Sequence, residues 1–220
     1  MAGPPRHLVL DVTRFESHVK ELLGSRPHAI IDMRADAYGL TADLVISVLR
    51  DLGASEFLFD NTPLKGAGEY DVISGEELLG LAQGKPGFTT FSGTVINVKR
   101  VPAGRRISYG YTYETTGEST VALVALGYAD GVLRRSSSRC PVRIGSATGI
   151  IAGRVAMDQF VVDLGDGEAE PGDTAVLWGN PVAGNPSIAD WSRLTGVPGV
   201  AIHSTIGPRV TRSLELSVSS

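Results

Sequence analysis

The period of the apolar residues changes once along this chain, and that change limits the fold more than any other feature. From His7 to Phe59 apolar strands alternate with amphipathic helices, whereas from residue 88 onward short alternating apolar and polar stretches follow one another between turn signals. In the first part, residues 7–12 read as a strand. Thr13-Arg14-Phe15-Glu16 then reads as a capping box opening a helix that buries Phe15, Val19, Leu22 and Leu23 before Gly24 ends it. A second strand over residues 28–33 leads through the loop 34–40 to a helix capped near Thr41, with Leu44, Val45, Val48, Leu49 and Leu52 inward and Gly53 closing it. Residues 56–59 form a third strand. Such alternation implies a parallel sheet with right-handed crossovers. A closed (βα)8 barrel takes on the order of 200 residues or more, so this part is expected to remain an open fragment.

Residues 60–87 are punctuated by Asn61, Pro63, Gly66, Gly68, Gly75, Gly80, Gly84, Pro86 and Gly87, which marks a connector with one helical candidate at residues 75–82. Strands are then expected at 94–101 and 105–113, joined as a hairpin through the Pro102-Ala103-Gly104 turn, and at 120–126, 142–144, 150–152, 159–164, 174–178 and 203–216. A serine-capped helix is expected at 187–194. The expected fold class is α+β: a C-terminal antiparallel β-barrel or sandwich over residues 88–220, preceded over residues 1–87 by a partial (βα) fragment, an incomplete barrel, with its connector.

With 42% apolar and 20% charged residues the chain has the composition of a globular core, and its net charge of −4 supplies no overall positive field for nucleic acid or anionic lipid. Cys140 is the lone cysteine and the four histidines are scattered, so neither an internal disulfide framework nor a Cys/His metal site is expected. The apolar run after the first residues, Leu8-Val9-Leu10, falls far short of a signal or membrane segment. A cytoplasmic, metal-free protein is the expectation. Lys99, Arg100, Arg105 and Arg106 flank one turn; a solvated, charge-protected strand edge accounts for them better than a nucleic-acid grip.

The stretch with the most chemistry is Gly127-Tyr128-Ala129-Asp130-Gly131, delivered by the apolar run 120–126 and answered by Gly153-Arg154-Val155-Ala156-Met157-Asp158-Gln159. A buried strand that breaks into a glycine-flanked tyrosine aims a phenol from a rigid sheet; taken locally, the same residues are also compatible with an ordinary Asp-Gly turn. A phenol titrates near ~10, so as a base Tyr128 needs a neighbouring cation, for which Arg134, Arg135 and Arg154 are nearest in sequence.

Together with Val101-Pro102-Ala103-Gly104, Ile107-Ser108-Tyr109-Gly110-Tyr111-Thr112-Tyr113, Gly172-Asp173 and Arg209-Val210-Thr211-Arg212, these motifs resemble the alanine racemase family, in family order over residues 93–212. Residues 30–39 resemble the strand and loop that present the family's cofactor lysine. The resemblance implies exchange of the α-proton of alanine between two bases, with pyridoxal phosphate on a lysine in a (βα)8 barrel and a tyrosine from the partner subunit's β domain. By motif position it assigns Tyr128 to the tyrosine base, Met157 and Asp158 to the neighbourhood of the substrate carboxylate, and Tyr38 to the cofactor phosphate.

The lysine position reads Arg34. A guanidinium stays protonated, so Arg34 can neither carry the cofactor covalently nor act as the second base. The resemblance also places Ile73 where the family has an arginine facing the cofactor ring, and Pro208 where many members have a tyrosine, while much of the barrel has no counterpart. The sequence therefore implies a catalytically impaired racemase relative that does not bind pyridoxal phosphate covalently. It would serve as scaffold or regulatory partner, as a homodimer or as a heterodimer with a full-length racemase. Two other readings remain open: a donor of Tyr128 to a shared dimer site with racemase activity, and a cofactor-independent isomerase or small-amino-acid-binding module.

Overall fold

The computed structural model describes residues 6–61, 70–82, 85 and 87–216. Of the connector's expected turn residues, Pro63, Gly66, Gly68, Gly84 and Pro86 lie outside the described residues. The sheet that organises the molecule is a closed six-stranded barrel: β5 (Thr89–Val101), β8 (Ser119–Val124), β9 (Pro141–Ile144), β10 (Ala147–Ile151), β11 (Phe160–Asp163) and β12 (Thr174–Trp178) pair in the order β12-β9-β10-β11-β8-β5, and β12 returns to β5. Closure removes free edges from these strands. The thirteen-residue β5 makes this possible by pairing with β12 along its first half and with β8 along its second. Between Val95 and Asn97 the register shifts, leaving Ile96 as the extra, exposed residue of a bulge that bends the strand around the barrel.

Two strands extend this sheet. β1 (Arg6–Asp11) lies antiparallel to β5 and parallel to β13 (Thr211–Glu215). The expectation that residues 7–12 open the parallel βαβ sheet is corrected here. Leu8 and Leu10 are buried against the barrel, and β1 crosses the boundary read at residue 87. The small parallel sheet is instead β3 (Phe57–Leu58), β2 (Ile30–Asp32) and β4 (Val72–Ile73), with β2 central. It does not close on itself among the described residues. Helices α1 (Val12–Ser25) and α3 (Ala42–Asp51) contribute Phe15, Val19, Val45 and Leu49 to the continuous core that includes Ile31 and Ile73.

The helix ends differ from the sequence reading in instructive ways. The side chain of Asp11, rather than Thr13, caps α1 by accepting the Arg14 N–H at 3.1 Å. Thr41 does not cap α3; Asp36 reaches across the loop to accept the Ala42 N–H at 2.8 Å. α4 (Gly75–Leu78) carries a full Ser74/Glu77 capping box, and α5 (Ile188–Thr195) carries one between Ser187 and Asp190. The expected strand at 203–216 is shorter, because α6 (Gly199–Ser204) takes its first residues and only β13 remains. The expected hairpin through residues 102–104 is also corrected. β6 (Arg106–Ile107) pairs with β7 (Tyr113–Glu114) in a separate ribbon, and β5 pairs with β8 instead.

Trp178 anchors the core, its ring tilted against Phe91 at 4.8 Å and edge-on to Trp191 of α5 at 5.6 Å, with the Trp191 indole donating to the Pro141 carbonyl. Cys140 is buried, and burial pushes its thiol up to about 12, which marks it as core filling. Among the described residues no helix is long and apolar enough to cross a membrane, and no group of three or more His, Cys, Asp or Glu is placed to hold a metal.

Candidate active site

After β8 the chain makes one 3-10 turn over Tyr128–Asp130, held by the Gly127 N–H donating to Asp130 Oδ2 at 2.8 Å and ended by Gly131 at φ +106°. This turn lies along the 153–159 segment: the Tyr128 N–H donates to the Ala156 carbonyl and the Ala129 N–H to the Met157 carbonyl, both at 3.0 Å. The two motifs are thus one structure. Tyr128 and Met157 are 42% and 51% exposed, so both present their side chains to the surface, and the Arg134 guanidinium carbon sits 5.7 Å from the centre of the Tyr128 ring. Asp158 receives Arg209 Nη2 at 2.7 Å.

Beneath the turn is an ionic cluster that sequence reasoning did not assign. Asp130 is fully buried, with Arg6 Nε at 2.8 Å and Arg209 Nε at 3.0 Å from its Oδ1. Arg209 therefore bridges Asp130 and Asp158, and Asp158 first, then Asp130, raise the affinity of its guanidinium for its proton. Asp130 and Arg209 were both inside quoted motifs. Their partnership required knowing that β1 returns Arg6 to the same place.

The second group sits at the end of β2. Asp32, 2% exposed, accepts Arg34 Nε at 2.9 Å, Arg34 Nη2 at 2.6 Å and the Arg34 backbone N–H at 3.1 Å. Burial alone would raise its carboxyl, but the hydrogen bonds from Arg34 and Tyr38 outweigh that and hold it below the usual carboxylate range. Asp32 in turn keeps Arg34 protonated beyond its ordinary value. Burial, then the bond to Asp32, pushes the Tyr38 phenol up to about 12, so it stays a hydrogen-bond donor. The chain leaves Arg34 through a left-handed turn, α2 (Arg34–Tyr38), in which Ala35, Asp36, Ala37 and Tyr38 all have φ between +52° and +55°. Left-handed helical backbone costs roughly 1–2 kcal/mol per residue, and strain of this kind collects at functional loops. Tyr38 packs its ring on Gly75, where a Cβ would lie 2.0 Å from it.

Segment 203–212 joins the two groups. On one side His203 Nδ1 donates to the Tyr38 carbonyl at 2.5 Å and Arg212 Nε to the Gly39 carbonyl at 3.1 Å; on the other, Thr205 donates to the Gly131 carbonyl at 2.8 Å and the Gly207 N–H to the Asp130 carbonyl at 3.2 Å. Arg212 also caps the carbonyls of Ile206, Gly207 and Val210. No hydrogen bond or ion pair among the described residues joins Tyr128, Met157 or Asp158 directly to Arg34 or Tyr38.

His203 gives a pH test. It is wholly buried, accepts from the Thr89 hydroxyl at 3.2 Å, and burial, helped by Arg212, lowers its pKa to about 4. Because the unfolded state takes up the proton first, stability is full above the ordinary histidine value and is lost as pH falls from about 6.5 toward about 4. The expected slope is at most about 1.4 kcal/mol per pH unit. Urea unfolding across that window checks it, and His203→Gln should flatten the slope.

Residues 88–214, more than half of the chain, match the model of the family described as "Alanine racemase, C-terminal domain". The chain belongs to the alanine racemase family through this domain. The alanine racemase of Streptomyces coelicolor is 47% identical over 123 residues, which is 56% of this chain and 32% of that protein, and that of Mycobacterium avium is 38% identical over 122 residues. The chain thus matches about a third of the length of these curated relatives. The solved alanine racemase of Streptomyces lavendulae superposes with a TM-score of 0.87 over 99% of each chain at 19% identity, and that of Bartonella henselae, titled as holding covalently bound pyridoxal phosphate, with 0.80 over 96% of this chain at 15%. At these identities the superpositions speak for the fold.

The residues around position 34 do not fit covalent pyridoxal phosphate. Arg34 offers no amine, its guanidinium is occupied by Asp32, and the Tyr38 hydroxyl that the resemblance assigns to a phosphate is bonded to Asp32 instead. Ile73, where the resemblance expects an arginine, is 1% exposed and part of the core. Pro208 lies along an open groove with Asp36, Thr41 and Arg212 and has no N–H to offer.

Proposed function

We propose that this member of the alanine racemase family is catalytically impaired on its own and acts as a scaffold or regulatory partner of a complete racemase, in a cytoplasmic homodimer or heterodimer. The observation that carries the reading is the fork of Arg34 on buried Asp32, since a guanidinium so held supplies neither an amine for the cofactor nor a base for the α-carbon. What this chain's residues retain is a surface: Tyr128 and Met157, both exposed, on a turn fixed from below by Asp130 and Arg209.

That exposure favours one alternative, donation of Tyr128 as base to a shared site whose lysine and pyridoxal phosphate come from the partner. A single pair of experiments separates the two. Light scattering of the chain, alone and mixed with a complete racemase, should give a dimer under both readings; a monomer that also fails to bind the racemase contradicts both. A complete racemase whose own β-domain tyrosine has been changed to phenylalanine is then mixed with the chain. The scaffold reading expects no recovery of turnover. Recovery that disappears with Tyr128→Phe would establish the donor reading instead.

A further inference from the structure

The fork on Arg34 has a second member that the family resemblance does not mention. Asp32 lies in the central strand of the parallel sheet, 2% exposed, and directs both carboxylate oxygens at the side chain of position 34. A buried carboxylate is poorly screened by solvent and favours a cation beside it. In a lysine at position 34, Nζ would occupy the place in the side chain that Cζ has in arginine, between Nε and Nη2, and both of those touch Asp32 at 2.9 and 2.6 Å.

We propose that Asp32 is a positioning residue that commits position 34 to a permanent cation, so that restoring a lysine there by a single substitution does not restore a reactive amine. An amine attacks only as the free base, and here the free base would have to form beside the buried Asp32 carboxylate, although the side chain of position 34 itself is half exposed. The inference deepens the function proposed above and rests on it for its biological meaning. The other charged or titratable groups facing this end of β2 are Tyr38, whose hydroxyl also bonds Asp32; Asp60, which accepts the Ala35 N–H at 3.1 and 3.2 Å; and Asp36, engaged with the Ala42 N–H. Glu77, beyond Gly75, is paired with Arg26 at 2.7 Å and is not available. Asp32 alone grips the side chain of position 34 through both oxygens.

The test is competitive acetylation with acetic anhydride across the neutral to alkaline range, read peptide by peptide by mass spectrometry. In that reaction the neutral amine forms the N–C bond, acetate leaves and the nitrogen loses its proton, so the rate reports the free-base fraction. In Arg34→Lys the introduced lysine should react at least about tenfold more slowly than exposed Lys20 and Lys99, with a midpoint displaced upward from the ordinary lysine value near ~10.4. Adding Asp32→Asn should raise its rate by at least about tenfold, whereas adding Asp60→Asn should leave it unchanged. Equal rates with and without Asp32, or a midpoint in the single variant at or below the ordinary value, would overturn the proposal. Should Asp32→Asn fail to fold, the midpoint in Arg34→Lys alone decides. Racemisation by the unmodified chain would sink the proposed function without altering these rates, so the two failures are distinguishable.

Discussion

Gly127→Ala is expected to destabilise the fold by more than about 3 kcal/mol and to dislodge Tyr128. A Cβ at this position would stand 2.2 Å from the Met157 carbonyl oxygen, 2.3 Å from its carbon and 2.5 Å from the Ala156 oxygen. All three atoms are backbone, so no rotamer can relieve the clash. The glycine is not required for its dihedrals, since φ −148° and ψ −167° suit any residue; it is required because two loops touch there. Opening them removes the Tyr128 and Ala129 N–H bonds to residues 156 and 157. Gly24→Ala, near the end of α1 with nothing within 4 Å of its Cβ, is the internal control. It should be neutral or stabilising by up to about 1 kcal/mol. Urea unfolding of the two variants side by side checks the contrast.

Asp130→Ala should be the second most damaging change, costing about 2–4 kcal/mol. It strips the Gly127 N–H of its acceptor, leaves Arg6 without its counter-charge and leaves Arg209 held by Asp158 alone. The estimate stays below that for a fully buried triad because the arginine side chains are 21% and 41% exposed and water screens what they lose. Their Nε contacts with Oδ1 are also short but poorly aligned, which makes them charge pairs more than hydrogen bonds. Asp130→Asn, which keeps the amide-oxygen acceptor, should cost roughly half as much. Loss of the cluster should also loosen β1, whose first residue is Arg6, and hydrogen exchange at Leu8 and Leu10 should rise with it.

The barrel was legible because its strands carry their own evidence. The apolar runs Val121–Val124 and Phe160–Val162, with turn signals between the strands, mark them as sheet, and in the fold each buries alternate residues. Partner choice was not legible. The residues of β1 say "strand" equally well in either sheet, and only tertiary packing sends Leu8 and Leu10 to the barrel. The same limit explains the lost hairpin, since a Pro-Ala-Gly turn fixes a reversal but not which strand pairs next. Tyr128, Met157 and Asp158 stand out in the sequence because each lies in a short contiguous motif, and the structure lays those two segments side by side. Asp32 was passed over as one polar residue in an apolar strand, although its spacing of two from Arg34 allows the contact. Asp130 with Arg6, and His203 with the Tyr38 carbonyl, join residues 124 and 165 positions apart, a distance no local pattern reports.

The central claim is that a member of the alanine racemase family with Arg34 held by Asp32 does not turn over alanine by itself. The direct measurement is D-alanine formed from L-alanine by the purified chain with added pyridoxal phosphate, followed by chiral chromatography beside a protein-free sample containing the same cofactor. The two should be indistinguishable. D-alanine accumulating in proportion to protein concentration, and abolished by Tyr128→Phe, would contradict it.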